Sequence, residues 1–232
     1  MLISFVLLCL LVLAVTAFLA RRLAPLGDSV AATAGALAFV GFPLVLLALL
    51  QAIGLDLPAK LPVEVQSAHA AADLLVVALG AVSQETTRLF SVWVVLRFRH
   101  RLPSATWHGV GFGGAELLYL AFGAAGAAIA PMLLGATVPA AMSIGVVDVL
   151  IGIAERCAAV AAHIVYSYAA CAAIANRSPT WFIAAASVHA AANLAAAVLP
   201  REHAVAASFV GVLALGSFAA LVLIHRRATW LR

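Results

Sequence analysis

The chain has 232 residues, 66% hydrophobic and 9% charged, with a formal net charge of +4. Soluble domains carry about 25% charged residues, so this composition argues against a soluble globular fold and for an integral membrane protein. The basic residues sit in short stretches between apolar runs rather than in one patch, which reads as a topology signal and not as a nucleic-acid surface.

Seven hydrophobic segments follow in chain order, at residues 2–20, 29–54, 69–96, 104–127, 140–175, 178–199 and 204–225. A helix needs about 20 apolar residues to cross the hydrocarbon core, so each is expected to span. The first lacks a basic leader and a polar spacer and is read as a membrane helix rather than a cleaved signal. The fifth is too long for one simple crossing, so it is either strongly tilted or broken near Gly145 or Gly152, which would add an eighth short piece. No strand signal, linker or repeat interrupts the series. The expected fold is therefore all-α, a polytopic membrane helix bundle of about 7–8 transmembrane helices. It forms one domain over residues 1–232, with its motif-bearing core at 69–199. The Ala- and Gly-rich stretches Gly123–Ala130 and Ala184–Ala197 suit close helix packing. Cys9, Cys157 and Cys171 all fall in apolar segments with no CxxC spacing, so a disulfide framework is not expected.

Arg21, Arg22, Arg97, Arg99, Arg101, Arg177, Arg226, Arg227 and Arg232 fall on one side of this arrangement, against Lys60 and Arg201 on the other. The positive-inside rule makes the richer side cytoplasmic, with the N-terminus outside and the C-terminus inside. Trp107, Trp181 and Trp230 lie near that cytoplasmic interface, where aromatic belts form. His69, His100, His108, His203 and His225 also fall near interfaces and are expected to be solvated.

Within the apolar segments lie Asp73, Glu85, Arg88, Glu116, Asp148, Glu155, Arg156, His163, His189 and Asn193. One central charge costs about 2.5–3.5 kcal/mol on insertion scales, so the acidic and Arg groups together would cost about 20 kcal/mol if unpaired. They must pair, become neutral or line a polar cavity. Glu85, Glu116, His163 and His189 each lie about 12 residues from the cytoplasmic end of their helix, roughly 17 Å deep at 1.5 Å per residue. Four helices thus bring two carboxylates and two imidazoles to one level. Glu85 and Arg88 are spaced i,i+3 and share a face; His189 and Asn193 share one at i,i+4. Glu155 and His163, eight apart, can border one cavity. Gly111, Gly113 and Gly114, just before Glu116, let another backbone come close. Asp73 and Asp148 read better as polar glue between helices, and Arg156 serves equally well as a helix-to-helix ion pair.

Four patterns occur in order: Gln84-Glu85-x-x-Arg88, Gly111-x-Gly113-Gly114-x-Glu116, Glu155-Arg156 followed by His163, and His189-x-x-x-Asn193. Over residues 79 to 195 the set resembles the YhfC family of intramembrane proteases, related to the CAAX-protease and bacteriocin-processing group. The resemblance implies a buried, water-accessible site in which a glutamate activates water for peptide-bond hydrolysis while His and Asn hold water or stabilise the oxyanion. It puts the base at Glu85, with Glu116, His163, His189 and Asn193 as partners and Gln84, Arg88, Glu155 and Arg156 in support. Two departures stand out. The family's first motif usually opens with two adjacent acids, and in the broader group the first of the pair is often the catalytic one, where this chain has Gln84. The Gly-rich motif often carries a His where this chain has Phe112.

The chemistry follows from the residues as well, since amide hydrolysis needs a base for water, an oxyanion donor and an acid for the leaving amine. No cofactor is expected. Zinc on His163, His189 and Glu116 is the metal alternative, although no HExxH is present. The expected partners are the lipid bilayer and a membrane-anchored peptide or protein substrate. The expected location is the inner (plasma) membrane of a bacterium, the high Ala content pointing to a high-GC genome. Two other classes compete: a proton- or ion-coupled transporter, because midplane carboxylates and histidines also make relays, and a non-catalytic scaffold that binds a partner helix.

Overall fold

A computed structural model of the chain describes residues 28–52, 70–96, 102–133, 146–199 and 202–227, together with Phe18. It is all-α. The helices are α1 (Ser29–Ala52), α2 (Ala70–Leu96), α3 (Leu102–Leu133), α4 (Val146–Ala175), α5 (Thr180–Val198) and α6 (His203–Arg227). The expected segment 2–20 lies outside the described residues apart from Phe18. Among the described residues, three stretches are long and apolar enough to cross a membrane by length and composition: Ser29–Ala52, Leu150–Ala175 and Thr180–Val198.

The fifth expected segment contains an unbroken helix. α4 runs unbroken through Gly152, so of the two alternatives a break at that glycine does not occur, and Gly145 lies outside the described residues. The Ala-rich run after Ile153 carries the hydrogen-bond ladder past a single Gly, whose cost against Ala is only about 1 kcal/mol.

Local signals set the helix ends. Asp28 caps α1 by accepting the Ala31 backbone N–H on Oδ1 at 3.0 Å. Its Oδ2 accepts the Ser104 hydroxyl at 2.6 Å, which ties the start of α1 to the start of α3. α4 ends with Arg177 at φ 50°, in the left-handed region. The Ser178 N–H returns to the Ala173 carbonyl at 3.0 Å and the Arg177 N–H to the Ile174 carbonyl at 3.2 Å, the bond pattern of a Schellman motif. Pro179 follows, and α5 starts at once. This tight reversal sets α4 and α5 antiparallel, so His163, twelve residues before Ala175, and His189, nine after Thr180, return to about the same level.

α4 is the central element. It packs against α3, α2, α5 and α6, while α1 lies against α2 and α3, and α2 also meets α5. One core cluster joins Ala31, Val92, Ala105, Ile164, Tyr168 and Cys171, from four helices. A second joins Ala38 and Phe39 to Phe112. Glycine permits these approaches. A Cβ on Gly109 would strike the backbone at His163 and Ile164, and one on Gly111 would strike the backbone of Ala32. Large apolar side chains turn outward: on α1 alone Leu37, Val40, Leu44 and Leu47 are exposed, an outer face that suits lipid.

Candidate functional site

The polar groups meet around α4. On α2, one turn separates Glu85 from Arg88, and the Arg88 Nε–H donates to Glu85 Oε2 at 3.0 Å. Both side chains are buried, Glu85 1% and Arg88 0% exposed. The hydroxyls between and beside them return to their own helix: Ser83 to the Leu79 carbonyl, Thr86 to that of Val82, and Thr87 to those of Ser83 and Gln84. A polar run can therefore sit in an apolar helix at little cost.

Arg88 is held from several sides. Its NH1 donates to the His163 carbonyl at 3.2 Å and to Ser167 Oγ at 2.9 Å, and its NH2 donates to His163 Nδ1 at 2.7 Å. Its guanidinium carbon stands 3.8 Å from the centroid of the Phe112 ring. Arg has only donors, so His163 Nδ1 must accept, and the His163 proton sits on Nε2. That nitrogen lies 2.5 Å from Glu116 Oε2, to which it donates. Glu85 Oε1 takes the second imidazole: His189 Nδ1 lies 2.8 Å away, and a carboxylate already receiving Arg88 accepts from it. The two imidazoles are 5.5 Å apart, and Tyr166 stacks on His189 at 4.9 Å.

One side of this network borders a cavity of about 90 Å³. Glu116, His163, Tyr166, His189 and Asn193 face it, Glu155 and Arg156 flank it, and Ala162, Ala192, Phe209 and Leu213 give it apolar walls. Arg156 pairs with Glu155 beside it and reaches Glu116 at 3.9 Å. Glu85 is not among the lining residues, and both of its oxygens are engaged. The two carboxylates therefore differ: Glu85 is enclosed, while the Glu116 side chain is 24% exposed.

The nine residues singled out from the sequence converge to different degrees. Glu85, Arg88, Glu116, His163 and His189 form one bonded network, and Glu155 and Arg156 join it at the rim. Asn193 lines the cavity without a hydrogen-bond partner among the described residues. Gln84 Oε1 is buried and also has no partner there. The side chains of Asp73 and Asp148, and those of His69, His100, His203, His225 and Cys9, fall outside the described set. Cys171 is buried and Cys157 half-buried, both free.

One expectation is corrected. His108 is not solvated: it is 0% exposed, with Nδ1 3.1 Å from Ser167 Oγ and Nε2 3.1 Å from Ser91 Oγ. Depth along α3 places it near an interface, but α1, α2 and α4 cover that level. Ser91, Ser167 and Tyr166 were not singled out either. The available signal was periodic: Ser91 lies one turn beyond Arg88, and Ser167 one turn beyond His163.

The zinc alternative meets an unfavourable donor set. Among the described residues no group of three or more His, Cys, Asp or Glu is arranged to hold a metal. His163 uses Nδ1 to accept from Arg88 and Nε2 to donate to Glu116, which leaves that ring no lone pair for a cation. Comparisons with protein-family models, with curated proteins and with solved structures give no match.

Proposed function

We propose that this chain is a multi-pass intramembrane peptidase, in line with the YhfC-type patterns in its sequence, and that Glu116, in place of the Glu85 to which the resemblance assigns the role, is its water-activating base. The observation that carries the reading is the unequal placement of the two carboxylates: Glu116 opens on the cavity and Glu85 is sealed beneath it. In this scheme a water in the cavity gives a proton to Glu116 as its oxygen attacks the scissile carbonyl. His189 Nε2 accepts the water's other hydrogen and orients it, while Glu85 holds the His189 ring through Nδ1. The Asn193 amide, unpaired among the described residues, donates to the oxyanion. Collapse of the tetrahedral intermediate breaks the C–N bond, and Glu116 returns its proton to the leaving amine.

The enclosing bundle has seven or eight spans in a bacterial inner membrane, with a cytoplasmic C-terminus. Its substrate is a membrane-anchored peptide or protein, and neither zinc nor another cofactor takes part. The test is purified protein in liposomes with a membrane-anchored peptide library, read by mass spectrometry with and without chelator. Cleavage by wild type, resistant to chelator and lost in Glu116→Gln, is expected. Unchanged cleavage in Glu116→Gln would remove that residue from the base role. Proton flux without any cleavage would turn the same groups into a relay.

A further inference from the structure

We propose that Ser167 and His108 are positioning residues: they hold Arg88 so that it withholds a proton from His163 Nδ1. The argument starts at the far end of a hydrogen-bond chain. Ser91 Oγ donates to the Ala34 carbonyl at 3.0 Å, which uses its only hydrogen. Ser91 must therefore accept from His108 Nε2 at 3.1 Å, so His108 carries its proton there and leaves Nδ1 bare. Nδ1 then accepts the Ser167 hydroxyl at 3.1 Å. A helical Ser hydroxyl ordinarily turns back to the carbonyl four residues earlier. Here that carbonyl belongs to His163 and receives Arg88 NH1 instead. Ser167 thus points its hydrogen at His108 and a lone pair at Arg88 NH1, 2.9 Å away. Every donor direction from Ala34 to Arg88 is determined, and Ser91, His108 and Arg88 come from two helices that meet Ser167 on a third.

The consequence lies at the other nitrogen. With NH1 held by Ser167, NH2 meets His163 Nδ1 at 2.7 Å, and a donor-only guanidinium keeps that nitrogen bare. His163 can then donate only through Nε2, to Glu116. Without Ser167, NH1 keeps only the His163 carbonyl at 3.2 Å. The guanidinium can then turn about its Glu85 bond and Nδ1 can take a proton. A doubly protonated His163 against Glu116 would tie up the carboxylate that the peptidase scheme needs as a base. The effect on turnover rests on that scheme, whereas the state of Nδ1 does not.

The experiment uses the full chain in lipid bilayers with its seven histidines labelled with nitrogen-15. His163 is assigned from the signal missing in His163→Gln. Bare and protonated ring nitrogens resonate far apart. Wild type should show His163 with bare Nδ1 and protonated Nε2. Ser167→Ala and His108→Leu should convert a large part of the Nδ1 signal to the protonated form. His108→Asn, which keeps an acceptor where Nδ1 stands, should restore it. If the peptidase scheme holds, kcat falls about tenfold in the first two variants with KM unchanged, a part of the 10²–10⁴-fold share of acid–base catalysis. Bare Nδ1 persisting in Ser167→Ala, or protonated Nδ1 in wild type, would overturn the proposal. Ser167→Ala removes a single oxygen and decides the matter alone if His108→Leu fails to accumulate. A conversion of Nδ1 with no cleavage in any variant would uphold the positioning role and reject the peptidase reading.

Discussion

At the scale of single residues, the two carboxylates should fail in different ways. Glu116 sits at an open wall, hydrogen-bonds His163 and meets Arg156 only at the rim, so Glu116→Gln should leave the protein folded and lower turnover by about 10²–10⁴-fold. Glu85 neutralises a fully buried Arg88. Removing one partner of such a pair costs about 3–5 kcal/mol, so Glu85→Gln should lose melting temperature and yield along with activity. Thermal denaturation in detergent, run beside turnover, separates the two outcomes; equal stability loss in both variants would contradict the asymmetry. Arg88→Lys keeps the charge but not the fork that reaches Glu85, His163 and Ser167 at once, so it should hurt less than Arg88→Ala and still cost activity. Glu155 is different again. Its side chain is 37% exposed and pairs with Arg156 at the rim, so Glu155→Gln should change stability by less than about 1 kcal/mol. Any larger effect on turnover would then come through Arg156 and its reach to Glu116.

At the scale of helices, close approach and one reversal decide where the groups land. Gly109 lets α3 touch the His163 peptide itself, and Gly111 lets α3 touch α1. Gly109→Val would push α3 from α4 at the residue that bonds Glu116, so it should abolish both the His163–Glu116 contact and normal accumulation in the membrane. Gly216, with open space around its Cβ position, is the control, and Gly216→Ala should accumulate normally. Arg177 holds a left-handed conformation that costs an L-residue about 1–2 kcal/mol. Arg177→Gly relieves this while widening the unfolded ensemble, so a gain of about 0.5–1 kcal/mol is expected in a reversible denaturant titration. Arg177→Val should lose stability, since a β-branched residue resists positive φ.

At the scale of the whole molecule, the apolar exterior and the polar centre belong to one design. Exposed Leu, Val and Phe side chains cover the outside, while Arg88, Glu85, His108 and Ser167 are almost fully enclosed. Water would favour neither arrangement, but lipid outside and paired charges inside favour both. Topology tests the assembly directly. The expected topology puts nine Arg on one side against Lys60 and Arg201 on the other, so cysteines placed near Arg99 and near Arg227 should be shielded from an impermeant label in intact cells. Labelling of both sites from outside would overturn the orientation.

Much of this was legible without coordinates, because the membrane makes local composition decisive. Apolar length marked out the helices, and the expense of burying charge singled out Glu85, Arg88, Glu116, His163 and His189 before any contact was known. Spacing by turns was enough to pair Glu85 with Arg88 and to put Glu155 and His163 on one cavity, since both relations lie within single helices. Relations between helices were not legible in that way. Depth along a helix says nothing of what covers it, so His108 read as an interface residue although three other helices bury it. Equal depth also could not separate Glu85 from Glu116. Only the packing of the helices decides it: Gly109 and Gly113 let α3 approach α4 closely, and the assembled bundle encloses Glu85 while it opens Glu116 to the cavity.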